Sequence, residues 1–223
     1  MTGTPDPRDR ARRGLILGLA SLAATGRSVA AGADGPSGDL PGGGAGGEAS
    51  ALRLAQWPHG GASPDFSLVD QDGHPRTLAD YRGRVVVVFF GFVHCPDVCP
   101  AALFRLALAM RQLGAQRAAV QVLFVTLDPQ RDTVATLGPY VRAFDGQFAG
   151  LTGTAGQVDA AASRFFVQYA RVGRGDRYSV DHSTLLYVID RTGRLRAIGR
   201  SDGPTEDLVH DLRILAAETP AAP

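Results

Sequence analysis

The sequence predicts a mixed α/β domain in which helices flank a central sheet. Two apolar runs, the continuous Val85–Phe90 and the mostly apolar Val120–Leu127, are typical of strands that are buried on both faces. A stretch with helical spacing, Pro100–Leu113, separates them and predicts a crossover that makes the two strands parallel. Near the end of the chain, Thr184–Asp190 and Leu195–Gly199 flank a tight turn and predict an antiparallel hairpin.

The first half of the domain begins with a predicted hairpin. Asp65–Val69 alternates weakly, residues 71–74 have turn chemistry, and Pro75–Leu78 forms the returning strand. The buried strand Val85–Phe90 follows. In Pro100–Leu113 the apolar side chains recur at mostly helical spacings, and the second buried strand comes after this helix.

The second half supplies three further helices. Thr133–Phe144 and Ala155–Phe166 are predicted helices, and Phe148–Leu151 is a short strand between them. Pro204–Ala217 closes the domain as an amphipathic helix with a proline near its start. A central mixed sheet with flanking helices and a hairpin at one edge predicts a thioredoxin-like fold with an N-terminal β-hairpin extension.

Composition and charge limit the partners and the compartment. The 223-residue chain is 44% hydrophobic and carries a formal net charge of +1, so we expect no nucleic-acid partner. Residues 1–33 combine an arginine-rich start, small residues at candidate cleavage positions and an apolar run shorter than the ~20 residues of a membrane span. This segment predicts an export signal or a short N-terminal anchor. Export would place the cysteines in an oxidising compartment.

Three further segments complete the predicted organisation. Residues 34–60 are rich in glycine and alanine and predict a flexible linker. Residues 61–217 form the predicted thioredoxin-like domain, and residues 218–223 a disordered tail.

The only two cysteines, Cys95 and Cys99, lie where the first buried strand turns into a helix. Residues four apart share one helix face, so the two sulfurs can bind one soft metal ion or close a disulfide after a modest adjustment. The positive end of the helix is expected to stabilise a thiolate and lower its pKa. A purely structural disulfide is disfavoured because so short a loop constrains the unfolded chain little.

A metal site needs a third donor, and His182 is the best candidate. A closed zinc site takes four Cys or His ligands, whereas copper(I) accepts two thiolates and an imidazole. His182 precedes the Thr184–Asp190 strand in a loop expected to pack against the start of the cysteine helix, although a lone loop histidine is more often a surface residue. His94 is expected to point away from Cys95. The other histidines are expected on the surface: His59, His74 and His210.

Three segments resemble the signature segments of the SCO/SenC family: Phe90–Pro100 with its C-P-D-V-C-P, Leu127–Thr133 and Val180–Ser183. Members of this family are thioredoxin-like, membrane-facing copper-binding factors that assemble the CuA centre of cytochrome c oxidase. The resemblance covers about residues 62–217. Val93 departs from it, because many members carry a hydroxyl residue there.

The resemblance implies that Cys95, Cys99 and His182 are copper ligands. It also places Asp128 on a loop near the site, with an accessory role in partner docking or in tuning. An aspartate before proline is equally a turn former.

The residues and the resemblance together predict that the protein is an exported copper metallochaperone. It would deliver Cu(I) or Cu(II) to the oxidase subunit carrying the CuA site. The expected location is the bacterial periplasm. A tether to the outer face of the cytoplasmic membrane is an alternative that fits the same prediction. Other copper carriers and thiol-disulfide reductants are the further expected partners. Two alternatives use the same cysteines: a thiol-disulfide reductase that keeps the CuA cysteines reduced, with Cys95 and Cys99 as its redox pair, and a copper or redox sensor.

Overall fold

The computed structural model describes residues 52–57, 64–175 and 177–219. The predicted export signal and most of the predicted linker lie outside these residues. None of the helices in these ranges has the length and hydropathy that crossing a membrane requires.

Ten strands and four α-helices make up the described part of the chain, together with two short 3-10 helices at Leu78–Tyr81 and Gly114–Ala119. The strands are β1 (Ala55–Gln56), β2 (Ser67–Asp70), β3 (Pro75–Thr77), β4 (Val85–Gly91), β5 (Val120–Thr126), β6 (Ala149–Thr152), β7 (Tyr169–Arg174), β8 (Arg177–His182), β9 (Leu185–Ile189) and β10 (Leu195–Arg200). The helices are α1 (Val98–Gln112), α2 (Val134–Phe144), α3 (Ala155–Arg164) and α4 (Thr205–Ala217).

Eight of these strands form one mixed sheet in the order β1-β10-β9-β4-β5-β6-β2-β3. The pairs β4–β5 and β5–β6 are parallel, and the other neighbours are antiparallel. Every residue of β4 and β5 is buried, as their β-branched and aromatic composition predicts for strands covered on both faces. The mixed α/β class is confirmed, and the predicted N-terminal hairpin is β2–β3 at one edge of the sheet.

Helices cover both faces of this sheet. α1 packs beside α2 and α4. On that face the ring of Tyr140 in α2 lies 5.5 Å from the ring of Phe124 in β5. On the opposite face Phe165, just after α3, packs 5.2 Å from Phe90 in β4. α3 ends at Arg164, two residues earlier than predicted, where Phe166 takes a left-handed φ of 56°.

The sequence did not predict β7 and β8, which pair with each other and form a separate two-stranded sheet. All residues of β7 are exposed or half-buried, and in β8 only Val180 is buried. Polar, exposed strands lack the apolar alternation by which strands are predicted. His182, predicted to lie in a loop, is the last residue of β8.

Both ends of the predicted domain carry further ordered residues. Within the stretch predicted as a linker, β1 pairs with β10, and the backbone N–H groups of Arg53 and Leu54 donate to the buried carboxylate of Asp211 in α4. The domain therefore begins before residue 61. At the other end, Glu218, predicted to belong to the tail, accepts hydrogen bonds from Arg196.

Candidate metal centre

The two cysteines lie on either side of the start of α1, at the carboxyl end of β4. Cys95 is half-buried in the loop before α1, and Cys99, the second residue of α1, is fully buried. Both are free thiols. The Cys99 backbone N–H donates to Cys95 Sγ at 3.4 Å, so this sulfur partners one of the N–H groups that a helix start leaves free. The helix begins two residues earlier than predicted, which places Cys99 inside it.

Gly91, the last residue of β4, lies beside the buried sulfur. A Cβ at this position would lie 2.8 Å from Cys99 Sγ and 2.8 Å from Cε2 of Phe124. Real Cβ atoms essentially never come so close to other atoms. Glycine therefore permits the close approach of α1 to the sheet at this point.

His182 lies opposite Cys99. The His182 Nε2 atom is 3.6 Å from Cys99 Sγ, and Nδ1 lies 3.0 Å from the carbonyl oxygen of Ser183. A carbonyl oxygen only accepts, so Nδ1 carries the proton in this contact and Nε2 presents its lone pair to the sulfur. The imidazole packs edge-on against Phe92, with ring centroids 6.1 Å apart.

Burial favours the neutral forms of the Cys99 thiol and the His182 imidazole. It raises the pKa of the Cys99 thiol and lowers the pKa of His182. The expectation that the helix start would lower a thiol pKa is therefore wrong for Cys99, because desolvation outweighs the hydrogen bond from the Phe92 backbone that favours the thiolate. A neutral thiol donating toward a neutral imidazole is the state that these shifts favour.

The thiolate and imidazole ligands, and the distance between Cys99 Sγ and His182 Nε2, are suited to a soft metal ion. Thiolate and imidazole are ligands that copper(I) accepts. In a tetrahedral zinc site, bonds of about 2.3 Å to sulfur and about 2.0 Å to nitrogen place the two ligand atoms about 3.5 Å apart. Cys99 Sγ and His182 Nε2, 3.6 Å apart, are close to this spacing. Across the described ranges, no three His, Cys, Asp or Glu side chains converge closely enough to hold an ion, so Cys95 must turn toward the other two to complete a three-ligand site.

Asp128 lies on the loop after β5 and is completely buried. Its Oδ1 accepts a 2.6 Å hydrogen bond from the Tyr178 hydroxyl, and its Oδ2 accepts from Arg131 Nε. Its backbone N–H donates to the Thr126 hydroxyl at 2.9 Å. The carboxylate therefore presents no free oxygen at the surface to which a partner could dock.

Asp132 is a buried residue near the cysteines that the sequence reasoning missed. Its Oδ2 accepts from the Thr126 hydroxyl at 2.6 Å and from the Val93 backbone N–H at 2.9 Å. The half-exposed imidazole of His94 lies with Nδ1 3.6 Å from Asp132 Oδ1, so His94 faces this carboxylate, as expected for a residue that does not join Cys95. Burial raises the pKa of Asp132. The sequence feature that could have pointed to Asp132 is its place four residues after Asp128, in the same segment.

The other two histidines in the described ranges contact aspartates and not the cysteines. His74 is exposed, with Nδ1 3.6 Å from Asp70 Oδ1. His210, expected on the surface, is half-buried, because its Nδ1 lies 2.9 Å from the buried carboxylate of Asp211. His59 lies outside the described residues.

Comparison with protein families decides where the chain belongs. A model of the SCO1/SenC family matches residues 58–217. The chain belongs to the SCO1/SenC family. The three segments that carry the cysteines, Asp128 and His182 all lie within the matched region.

Curated SCO1/SenC relatives include mitochondrial and bacterial proteins. The mouse protein SCO2 homolog, mitochondrial, is 41% identical over 168 residues, which cover 73% of this chain and 64% of the relative. The human SCO2 homolog, mitochondrial, is 42% identical over 148 residues, which cover 64% of this chain and 54% of the relative. The SCO2-like protein of Rickettsia felis is 36% identical over 133 residues, which cover 58% of this chain and 65% of the relative. The matches thus span between half and two thirds of these relatives.

Solved SCO1/SenC structures share the fold. Apo Sco1 from Thermus thermophilus superposes with a TM-score of 0.68 at 35% identity, covering 76% of this chain and 99% of that one. Bradyrhizobium japonicum ScoI with copper bound has a TM-score of 0.64 at 33% identity, covering 70% of this chain and 99% of that one. The predicted family and its thioredoxin-like fold are confirmed.

Proposed function

We propose that this SCO1/SenC protein is an exported copper metallochaperone that binds copper through Cys95, Cys99 and His182 and delivers it to the CuA site of cytochrome c oxidase. The observation that carries the proposal is the 3.6 Å approach of His182 Nε2 to Cys99 Sγ, with the Nε2 lone pair directed at the sulfur. A redox disulfide requires no imidazole at this position, whereas a low-coordinate copper site uses one.

Copper is the cargo in this proposal. On binding, the thiols lose their protons, and Cys95 Sγ leaves the Cys99 N–H to face the ion. Delivery is a ligand exchange in which thiolates of the acceptor replace Cys95, Cys99 and His182 one by one. The half-buried Cys95 is the ligand that an acceptor reaches first. The copper-bound ScoI of Bradyrhizobium japonicum supports the assignment, since that relative holds copper on the same fold.

The unequal burial of the two sulfurs also supports a second candidate, a thiol-disulfide reductase. The Cys95 thiolate would attack a disulfide of the oxidase subunit, form a mixed disulfide and release one target thiolate. The Cys99 thiolate would then attack Cys95 Sγ, release the second target thiolate and leave a Cys95–Cys99 disulfide. A dithiol reductant in the same compartment would return two electrons and two protons.

Anaerobic copper titration of the reduced chain tests the first function. One copper ion should bind to the unchanged chain, and Cys95→Ala, Cys99→Ala and His182→Ala should each lose tight binding. Reduction of a model disulfide is measured in parallel, because His182→Ala should retain it while both cysteine variants lose it. If the unchanged chain takes up no more copper than the double-cysteine variant, the chaperone function is wrong. If His182→Ala binds copper as tightly as the unchanged chain, His182 is not a ligand.

A further inference from the structure

His182 is carried by a hairpin that, within the described residues, pairs with no strand of the central sheet. The cysteines, in contrast, follow β4 in the middle of that sheet. Hydrogen bonding within the sheet therefore fixes the cysteine side of the site directly, whereas it reaches His182 only at one end of the hairpin, because β9 begins three residues after His182. The distance between Cys99 Sγ and His182 Nε2 depends on this link and on the contacts that hold the rest of the hairpin in place.

Tyr178 makes the polar contacts of β8 with the loop after β5, while Val180 of the same strand is buried in the core. Tyr178 lies four residues before His182 on the strand, so both side chains point to the same face of the hairpin. Its hydroxyl donates to Asp128 Oδ1 at 2.6 Å, and its carbonyl oxygen accepts from Arg131 Nη1 at 3.1 Å. The Arg131 guanidinium also stacks on the Tyr178 ring, with Cζ 3.7 Å from the ring centroid.

The same loop holds the other strand of the hairpin. Arg171 of β7 lies with Nη2 3.6 Å from Asp128 Oδ1, and its Nη1 donates to Gln130 Oε1 at 2.9 Å. Arg131 and Arg171 thus both compensate the negative charge of the buried Asp128 carboxylate. A buried charge requires such partners, because it has lost its contact with water. Both strands are fastened to the loop through Asp128.

The loop of residues 127–132 is also hydrogen-bonded to the segment that leads to the cysteines. The Leu127 N–H donates to the carbonyl oxygen of Gly91 at 2.7 Å. Asp132 accepts from the Val93 N–H at 2.9 Å, two residues before Cys95. Residues 127–132 therefore bridge the segment that carries the cysteines and the hairpin that carries the histidine.

We propose that Asp128, Arg131 and Tyr178 are positioning residues that set the place of His182 relative to Cys99. The inference rests on the proposed copper function and assigns Asp128 a role inside the protein, through Tyr178, rather than on a partner. A buried carboxylate with both oxygens engaged suits this role, because rigid second-layer contacts orient a ligand before the metal arrives.

A double-mutant cycle on the full reduced chain tests the proposal, with copper affinity measured by competition against a chelator. Tyr178→Phe removes one hydroxyl and should weaken copper binding about tenfold. In a His182→Ala background the same change should weaken it by less than about twofold, because there is no imidazole left to position. Equal losses in the two backgrounds, or no loss in the unchanged background, overturn the proposal.

A copper-free measurement separates this inference from the proposed function. The ring ¹⁵N signals of His182 report which nitrogen carries the proton. They should show protonated Nδ1 in the unchanged chain and move toward a mixture of tautomers in Tyr178→Phe. If the chain bound no copper, the chaperone function would fail, yet an altered tautomer would still support positioning and an unaltered one would still refute it.

Asp128→Asn provides a second variant and Asp145→Asn its matched control. Asp145 also carries a nearly buried carboxylate paired with an arginine, Arg117, but it lies before β6, at the end of the sheet away from the cysteines. Asp128→Asn should weaken copper binding about 10- to 100-fold, and Asp145→Asn should leave it unchanged. A comparable loss in Asp145→Asn would mean that general loosening of the fold is responsible, and the proposal would be wrong.

Discussion

Gly91 and Cys99 are in such close contact that the strand residue has no room for a side chain. A Cβ on Gly91 would lie 2.8 Å from the Cys99 sulfur. The buried sulfur is thus a packed atom of the core as well as a candidate ligand, and its position depends on the residue beneath it.

Gly91→Ala should therefore lower the free energy of unfolding by about 1–3 kcal/mol, because the added methyl group overpacks the contact between α1 and the sheet. It should also weaken copper binding, since Cys99 must move. Urea unfolding and copper titration measure the two effects. The control is Gly156→Ala in α3, where a Cβ meets no atom within 4 Å. That change should stabilise the chain by about 0.5–1 kcal/mol. Equal stability of the Gly91→Ala and unchanged chains would contradict the packing argument.

Copper binding should weaken as the pH falls. Burial raises the pKa of the Cys99 thiol, so the metal-free protein carries a proton on Cys99 at neutral pH and must release it when copper binds. Affinity should therefore fall at least about tenfold per pH unit near neutrality. Competition titrations between about pH 6.5 and 8 measure the slope. Cys99→Ala, whose weaker copper binding is measured against a weaker competing chelator, should show a slope smaller by one proton, and an unchanged slope would contradict the assignment.

Asp190 should contribute stability that depends on pH. Burial opposes its ionisation, but hydrogen bonds from Thr192, the Arg194 N–H and Arg196 outweigh burial and lower its pKa. A lowered pKa in the folded state means stability that is present above the unfolded pKa, about 3.9, and is lost as the pH falls through the folded value.

Asp190→Asn should thus lower the free energy of unfolding by about 1–3 kcal/mol at neutral pH, and the difference should shrink below about pH 3.9. Urea unfolding across this range measures it. Asp72→Asn, at an exposed turn carboxylate, should change stability by less than about 0.5 kcal/mol. A loss in Asp190→Asn that is constant with pH would show that its charge is not involved.

Asp211 should hold residues 52–57 against the domain. Its buried carboxylate accepts from the Arg53 and Leu54 N–H groups at 2.8 and 2.9 Å. Asp211→Ala should lower the free energy of unfolding by about 1–3 kcal/mol, because these donors lose their partner, and should speed tryptic cleavage after Arg53. Asp207→Ala removes only an exposed ion pair with the Arg53 side chain and should have little effect on either measurement. Equal cleavage rates in both variants would contradict this anchoring.

The sequence predicts the middle of this fold better than its margins. β4 was identified because a continuous β-branched and aromatic run has few other uses, and β5 because its run is mostly apolar. β1 was missed because it is only two residues long and its place depends on Asp211, more than 150 positions away in the chain. The β7–β8 hairpin was missed because it buries only Val180, and because its polar contacts with Asp128 and Arg131 join residues distant in the chain.

The same division applies to the site. The spacing of Cys95 and Cys99 pointed to chemistry directly, since residues four apart meet across one helix turn. The place of His182 before the Thr184–Asp190 strand made it the best candidate, but the family resemblance was needed to predict it as a ligand, because a lone loop histidine is more often a surface residue. The raised pKa of Cys99 could not be predicted, because burial depends on how α1 settles over Gly91.

The two edge strands of the eight-stranded sheet affect how the protein can associate with other chains. β1 at one edge is two residues long, and β3 at the other is three residues long and starts with Pro75. Such short edges, one of them with a proline that lacks an N–H, give another chain little backbone to pair with. Aggregation by strand addition at the edges of the eight-stranded sheet is thereby discouraged.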